Sequence, residues 1–445
     1  MRRTVLVMVW LAGFLGMCFF GQGSVFSSET KITVLMQEHS ATMEIQKMLP
    51  GFEKEAGVNV ELIIEPFSKM KEMQRAALTA GNPVYDVVML DYRDVAGYGE
   101  AGWMLPLIET FIGSDTETDS RLNIYDFMMT GLEGLKWKKR LYGLPIYIES
   151  TMLMYRKDLY KKHNLSVPRT WEELYENAKK LNLDTDNDGK TDFYGFTARG
   201  LQAVGYNDYI WNGFLKSYGG KYFDDAWKPI FNSEAGVKAL EMYVRLLNDC
   251  AAPSVEKYGY KESMQEYLEG KTAHVIDATM LGAWIEDPEK SKVMGKNGYA
   301  IVPKGSARRG NNFFLMGLGI PASSTHQKAA FDFIVWATSS DIQKRHISNG
   351  AFMTRTSVIS SKEFAARWPF SDIMLKSLGV LRKKTMNIPI KALTHTPILP
   401  EWNEVAEQVS QAIHFALVGK KTPKLALDDA AKEVSKIMEK AGYYH

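Results

Sequence analysis

The chain has 445 residues, 45% of them hydrophobic and 24% charged, and 54 Lys and Arg against 52 Asp and Glu leave a formal net charge of +2. That length admits two domains, and the balance is that of a globular protein with a sizeable core. A near-neutral chain carries no basic field, so no nucleic-acid partner is expected.

In chain order, Arg2 and Arg3 precede an apolar run that ends near Phe20, and the small residues Ser24, Ser27 and Ser28 follow. This is the layout of a secretory signal peptide, with cleavage expected after Ser27. The alternative is a retained membrane anchor. Lipidation at Cys18 is disfavoured because Met17 before it is large for a lipoprotein cleavage site. Removal of residues 1–27 leaves Cys250 as the single cysteine, which excludes an intramolecular disulfide. No later apolar stretch is long enough to span a bilayer.

Residues 31–36 (KITVLM) read as a strand, and 42–56 as an amphipathic helix with Met48, Leu49 and Phe52 at helical spacing. A strand over 59–65, a helix over 69–80 stopped by Gly81, and a short buried strand over 85–90 (YDVVML) complete a βαβαβ pattern. In such doubly wound sheets ligands bind beyond the carboxyl ends of the strands. The first site candidates are therefore Gln37, Glu38 and His39, then Asp91, Tyr92 and Arg93. Helix caps and surface ion pairs are the alternative roles.

After an irregular stretch, regular structure resumes with YGLPIYIESTMLMYRKDL. The ordered segments GFEKEAGVNVEL, YDVVMLD, EAGWMLPL, YGLPIYIESTMLMYRKDLY, PRTWEEL, GLGIPASS and AAFDFIVWATS resemble those of family 1 extracellular solute-binding proteins, the exported sugar receptors of bacterial ABC importers. YRKDLY followed by P-x-TW-EEL is the most specific part, and the likeness covers nearly the whole mature chain.

The resemblance implies an α/β, two-lobed periplasmic-binding-protein fold of type II, with a ligand cleft between lobes joined by hinge crossovers and closing on ligand. The expected division is a signal peptide at 1–27, an amino-terminal lobe of 28–142 and 296–336, and a carboxyl-terminal lobe of 143–295 and 337–445. Crossings are expected near 141–146, around 286–298 and after Trp336.

A cleft for a sugar, oligosaccharide or polyol needs planar polar groups for vicinal hydroxyls and aromatic rings for the apolar ring faces. Glu149 leads, because a carboxylate after an apolar segment is costly unless it meets water, a partner or a polar ligand, and similar family members place a ligand-binding acid in this motif. The aromatic-rich stretch 206–225 makes Tyr206, Tyr209 and Trp211 candidates by resemblance, although Tyr209, Trp211 and Phe214 also suit the buried stripe of a helix. In GKTAHVIDATMLGAW, Met280 stands where the family often has an aromatic and Trp284 follows four residues later, leaving open which of them meets ligand. Asp277 is a further polar candidate. Arg355 matches a family arginine that can reach ligand, and Trp402 begins a helix that can line the cleft; an ion-paired arginine and a core tryptophan are the alternatives.

DTDNDGKTDFYG, from Asp184 to Gly195, follows the spacing of a calcium loop: Asp184, Asp186 and Asp188 at positions 1, 3 and 5, Gly189 at 6, the Lys190 carbonyl at 7 and Asp192 at 9. Position 12 is Gly195 where such loops place a bidentate Glu. The favoured reading is a structural Ca2+ clip; the alternative is a polar turn held by Asx hydrogen bonds. No organic cofactor is expected.

The resemblance thus implies a monomeric extracytoplasmic receptor, not an enzyme, that is exported to the periplasm or the extracellular face of the cell membrane and delivers its ligand to ABC permease subunits. The competing readings are an exported glycoside-active enzyme and the binding subunit of a sensory system.

Overall fold

The computed structural model describes residues 30–112, 122–350, 353–382 and 397–444. The expected signal segment 1–27 lies outside the described residues.

The βαβαβ start forms as the patterning predicts. Strands β1 (Thr30–Gln37), β2 (Val58–Glu65) and β3 (Val87–Asp91) pair in parallel about β1. The helices between them, Ser40–Ala56 and Phe67–Ala80, end at Gly57 and Gly81 in the left-handed conformation that glycine takes without a Cβ penalty. A short hairpin, β4 (Lys136–Trp137) and β5 (Arg140–Leu141), precedes the long strand β6 (Leu144–Arg156). Strands β7 (His274–Ala278), β8 (Asn297–Ile301) and β9 (Phe313–Gly319) follow.

Strand β6 ties the two halves together. Its first half, to Ser150, pairs antiparallel with β9, which in turn pairs with β3. From Thr151 onward it pairs with β7 on one side and β8 on the other. The chain therefore passes between lobes at Ser150–Thr151 without leaving the strand, a few residues beyond the expected crossing. The return is also later: β8 still belongs to the second lobe, and the chain goes back at Asn311–Asn312. These two crossings are bonded together. Ser150 Oγ donates to the Asn312 carbonyl at 2.9 Å, and Asn311 Nδ2 donates to the Thr151 carbonyl at 2.8 Å.

One core packs Ile32, Val34, Val87, Leu90, Ile146 and Leu315 with the helix over Gln327–Ala337. The other packs Trp171, Trp211, Phe214, Tyr243, Trp402 and Val405. Residues 340–350 and 353–355, assigned to the second lobe by sequence, pack on the first instead: Thr354 Oγ1 donates to the Pro145 carbonyl at 2.8 Å, and the Met128 N–H to the Thr354 carbonyl at 2.7 Å. The helix Ser371–Arg382 lies against β6 and β8. The chain rejoins the second core in the helices Trp402–Leu417 and Pro423–Lys440. Among the described residues no helix is long and apolar enough to cross a membrane.

Candidate functional site

A cleft of about 440 Å³ opens between the lobes, beyond the carboxyl ends of β1 and β3. From the first lobe it is lined by Glu38, His39, Arg93, Tyr147, Glu149 and Phe314. Arg199, Tyr206, Tyr209, Tyr260, Met280 and Trp284 face them from the second. The lobes touch across it: Lys261 Nζ reaches Glu38 Oε2 at 3.4 Å, and Met280 Sδ lies 2.9 Å from His39 Nε2.

Each polar side chain is held by a specific neighbour. Arg93 follows β3, where the buried Asp91 carboxylate receives its Nε at 3.0 Å and its Nη2 at 2.6 Å. Burial opposes the charge on Asp91, but Arg93 and Lys71 outweigh it and hold the carboxyl at about 2. Asp91 itself is fully buried and acts by fixing Arg93, whose guanidinium also lies over the Phe314 ring at 5.3 Å. Across the cleft Asp277 fixes Arg199 in the same way: Arg199 Nε donates to Asp277 Oδ2 at 2.9 Å, and Nη2 donates to Oδ1. Arg199 also lies 4.7 Å from the Tyr209 ring centroid and 5.4 Å from that of Tyr260. Its Nη1 donates to the Gly205 carbonyl at 3.0 Å.

Glu149 is 4% exposed, on the half of β6 just before the crossing. His39 Nε2 lies 3.2 Å from its Oε1. The His39 ring stacks on Tyr147 with centroids 3.9 Å apart, and Tyr147 donates to Gln37 Oε1 at 3.0 Å. Tyr147 and Glu149 share one face because alternate residues of a strand do. The Tyr209 hydroxyl is buried and has no hydrogen-bond partner among the described residues. A buried donor left unmade is costly, so this one suits a ligand oxygen.

Glu38, His39, Arg93, Glu149, Tyr206, Met280 and Trp284 thus come together in one cleft; Met280 and Trp284 both line it, and Asp91 and Asp277 stand behind its two arginines. Five expected ligand contacts fail: Asp91 and Asp277 are fully buried behind their arginines and do not line the cleft, and three others lie elsewhere. Trp211 is fully buried against Tyr222, and Trp402 is fully buried against the same ring from another side. Both are core, because each helix turns its apolar stripe inward. Arg355 is 1% exposed and far from cleft duty: it donates to the Leu122, Asn123 and Thr338 carbonyls, each at 2.8 Å, over the Phe127 ring. It ties loop backbone within the first lobe.

Arg199, Tyr147, Tyr260 and Phe314 were missed. Tyr147 was legible as the residue two before Glu149 on a strand. Arg199 was not, because it sits in an irregular stretch 78 positions from its partner Asp277.

In the aspartate loop, oxygens of Asp184, Asp186 and Asp188 lie within 4.8 Å of one another. Asn187 at φ 62 and Gly189 at φ 86 turn the chain so that these carboxylates converge. The Gly189 N–H donates to Asp184 Oδ2 at 2.8 Å. Asp192 does not join them: its oxygens accept from Thr185 N at 2.9 Å and Thr185 Oγ1 at 2.6 Å. The carboxylates present fit a hard cation in chemistry and spacing.

The sequence profile described as "Bacterial extracellular solute-binding protein" matches residues 38–344. The mannitol-binding protein of Pseudomonas aeruginosa is 27% identical over 426 residues, spanning 93% of this chain and 94% of that one. Among solved structures, an ABC transporter solute-binding protein of Agrobacterium vitis S4 with bound D-mannitol has a TM-score of 0.81 at 28% identity, covering 94% of this chain and 100% of that one. Another, of Agrobacterium radiobacter K84 in complex with ribitol, has a TM-score of 0.81 at 25% identity, covering 92% of this chain and 98% of that one.

Proposed function

Since this chain belongs to the bacterial extracellular solute-binding protein family, we propose that it is an extracytoplasmic receptor for a neutral sugar or polyol, which it delivers to an ABC transporter permease. The observation that carries this reading is the charge pairing of the cleft. Arg93 is matched by Asp91, Arg199 by Asp277, Lys47 by Glu44, Lys261 by Glu38 and Lys290 by Asp287. Among the described residues, Glu149 alone of the charged lining groups has no Lys or Arg within ion-pair distance, and its neighbour His39 already occupies one of its oxygens. A charged ligand would compete with one of the two buried pairs, Arg93–Asp91 and Arg199–Asp277, whereas hydroxyl groups can accept from arginine and donate to Glu149 with no net charge transferred.

The apolar rings of Tyr147, Phe314, Tyr206 and Tyr260 suit the carbon skeleton of such a ligand. A volume of about 440 Å³ lies in the range of small-molecule sites. Mannitol and ribitol, the ligands named for the relatives, define the alditol class to test first. Closure follows if ligand binds the closed state better by touching Glu149 of one lobe and Arg199 or Tyr209 of the other.

The test is a thermal melt against alditols, neutral sugars, oligosaccharides and the matching aldonic and uronic acids. Binding to the folded state raises the midpoint by mass action. Stabilisation confined to neutral compounds is expected. A response to the acids alone would overturn the assignment, and release of reducing sugar from a glycoside would replace the receptor reading with an enzymatic one.

A further inference from the structure

We propose that His39 is a positioning residue whose tautomer is fixed by a helix cap, so that its Nε2–H holds one oxygen of Glu149 and leaves the other to the ligand. This rests on the reading of the cleft as a site for neutral hydroxyl compounds.

His39 is the N-cap of the helix Ser40–Ala56, with extended backbone at φ −149 and ψ 152. The Ala41 N–H, one of the donors that a helix start leaves unpaired, points at His39 Nδ1 at 3.1 Å. An N–H needs a lone pair to meet, so Nδ1 carries no proton. In a neutral imidazole the proton then sits on Nε2.

Nε2 is the nitrogen that faces the site. It lies 3.2 Å from Glu149 Oε1, and Met280 Sδ of the other lobe closes over it at 2.9 Å. The carboxylate is the stronger acceptor, so the N–H belongs to Glu149. The ring cannot swing away, because it stacks on Tyr147 with planes 11° apart and is 8% exposed. One cap hydrogen bond at the start of a helix therefore sets, through one ring, which oxygen of Glu149 is spent and which is free. Histidine is an uncommon cap, since Ser, Thr, Asp and Asn are preferred there. None of those shorter side chains can accept from the helix and also donate to Glu149 across the width of an imidazole.

Two measurements test this on the full mature chain. Ring ¹⁵N shifts of His39, read without ligand, are expected to show a protonated Nε2 and an unprotonated Nδ1; the opposite pattern overturns the proposal. Titration calorimetry with D-mannitol then separates positioning from capping. His39→Asn restores a preferred cap, so its melting midpoint stays near the wild type while its affinity falls about tenfold. His39→Gln places an amide donor near the position of Nε2 and recovers most of the affinity at a lower midpoint. Full affinity in His39→Asn would show that His39 only caps the helix. Wild-type protein that binds no neutral sugar or polyol would sink the functional reading, while the ring shifts still decide the tautomer.

Discussion

Replacing Gly205 by alanine should weaken ligand binding far more than it weakens the fold. Gly205 belongs to the second lobe and has φ +87. A Cβ there would stand 2.6 Å from Arg93 Nη1 of the first lobe, about 1 Å inside normal contact. Arg93 cannot retreat, because the buried Asp91 carboxylate holds its Nε and Nη2. The two costs fall on different states. The positive φ burdens every folded form by about 1 kcal/mol, and in a chain of this size that lowers the melting midpoint by about 2 °C. The clash exists only when the lobes meet, and overpacking of this kind costs about 1–3 kcal/mol. Since closure is linked to binding, the affinity should fall about 5- to 150-fold. Calorimetric titration of the two proteins with the best stabilising polyol measures the affinity, and small-angle scattering measures the compaction on binding. An affinity within twofold of the wild type, with compaction intact, would refute the claim that Arg93 and Gly205 meet on closing.

Trp402→Ala should cost about 3–5 kcal/mol of stability, as for a large core ring, while the folded fraction keeps wild-type affinity; a selective loss of affinity would return Trp402 to the cleft. Acid should destabilise the protein early. Burial pushes His274 down to about 4 and His346 down to about 3 from an ordinary 6.5, so between these values the unfolded chain binds protons that the folded one does not. Stability is therefore full above pH 6.5 and falls as the pH falls toward 4, against a smaller opposite trend from Asp208, whose carboxyl burial pushes up to about 6. Urea unfolding at stepped pH should show this decline and His346→Phe should reduce it; a flat wild-type profile contradicts it. Calcium at about 100 times its Kd should add about 2.7 kcal/mol of stability, and Asp186→Ala should abolish the gain. No shift of the melting midpoint at millimolar calcium would leave the loop as a turn held by its own Asx hydrogen bonds.

Local periodicity carried the fold further than it carried the site. The three opening strands and two helices fall within about two residues of where alternation and helical spacing put them, because a buried strand or an amphipathic stripe repeats every few residues. Glu38, His39 and Arg93 were legible for a related reason: strand ends in a doubly wound sheet are ligand positions whatever the side chain; Glu149, inside β6, was reached from the apolar segment before it and from the family resemblance. Trp211 and Trp402 were misplaced because a stripe of aromatics has the same spacing whether it faces a core or a cleft. Arg199 was invisible because its importance lies in Asp277, and nothing in a loop announces a partner on a distant strand. The late crossings have a similar cause. Strand β6 changes partners at Ser150 without leaving the strand, and the polar Glu149, Ser150 and Thr151 that interrupt its apolar residues include no Gly or Pro to mark the passage.

That unbroken strand also has a mechanical meaning. Glu149 sits one residue from the place where β6 changes partners, whereas Glu38 and Lys261 meet out at the rim of the cleft. On the proposed reading, a ligand held at Glu149 would sit close to the fulcrum, and on closure the rim would travel along a longer arc than the groups around Glu149. A small rotation about Ser150–Thr151 would displace the outer faces of both lobes further than it displaces Glu149. A membrane partner that reads those faces is told of occupancy at high gain, without touching the bound molecule.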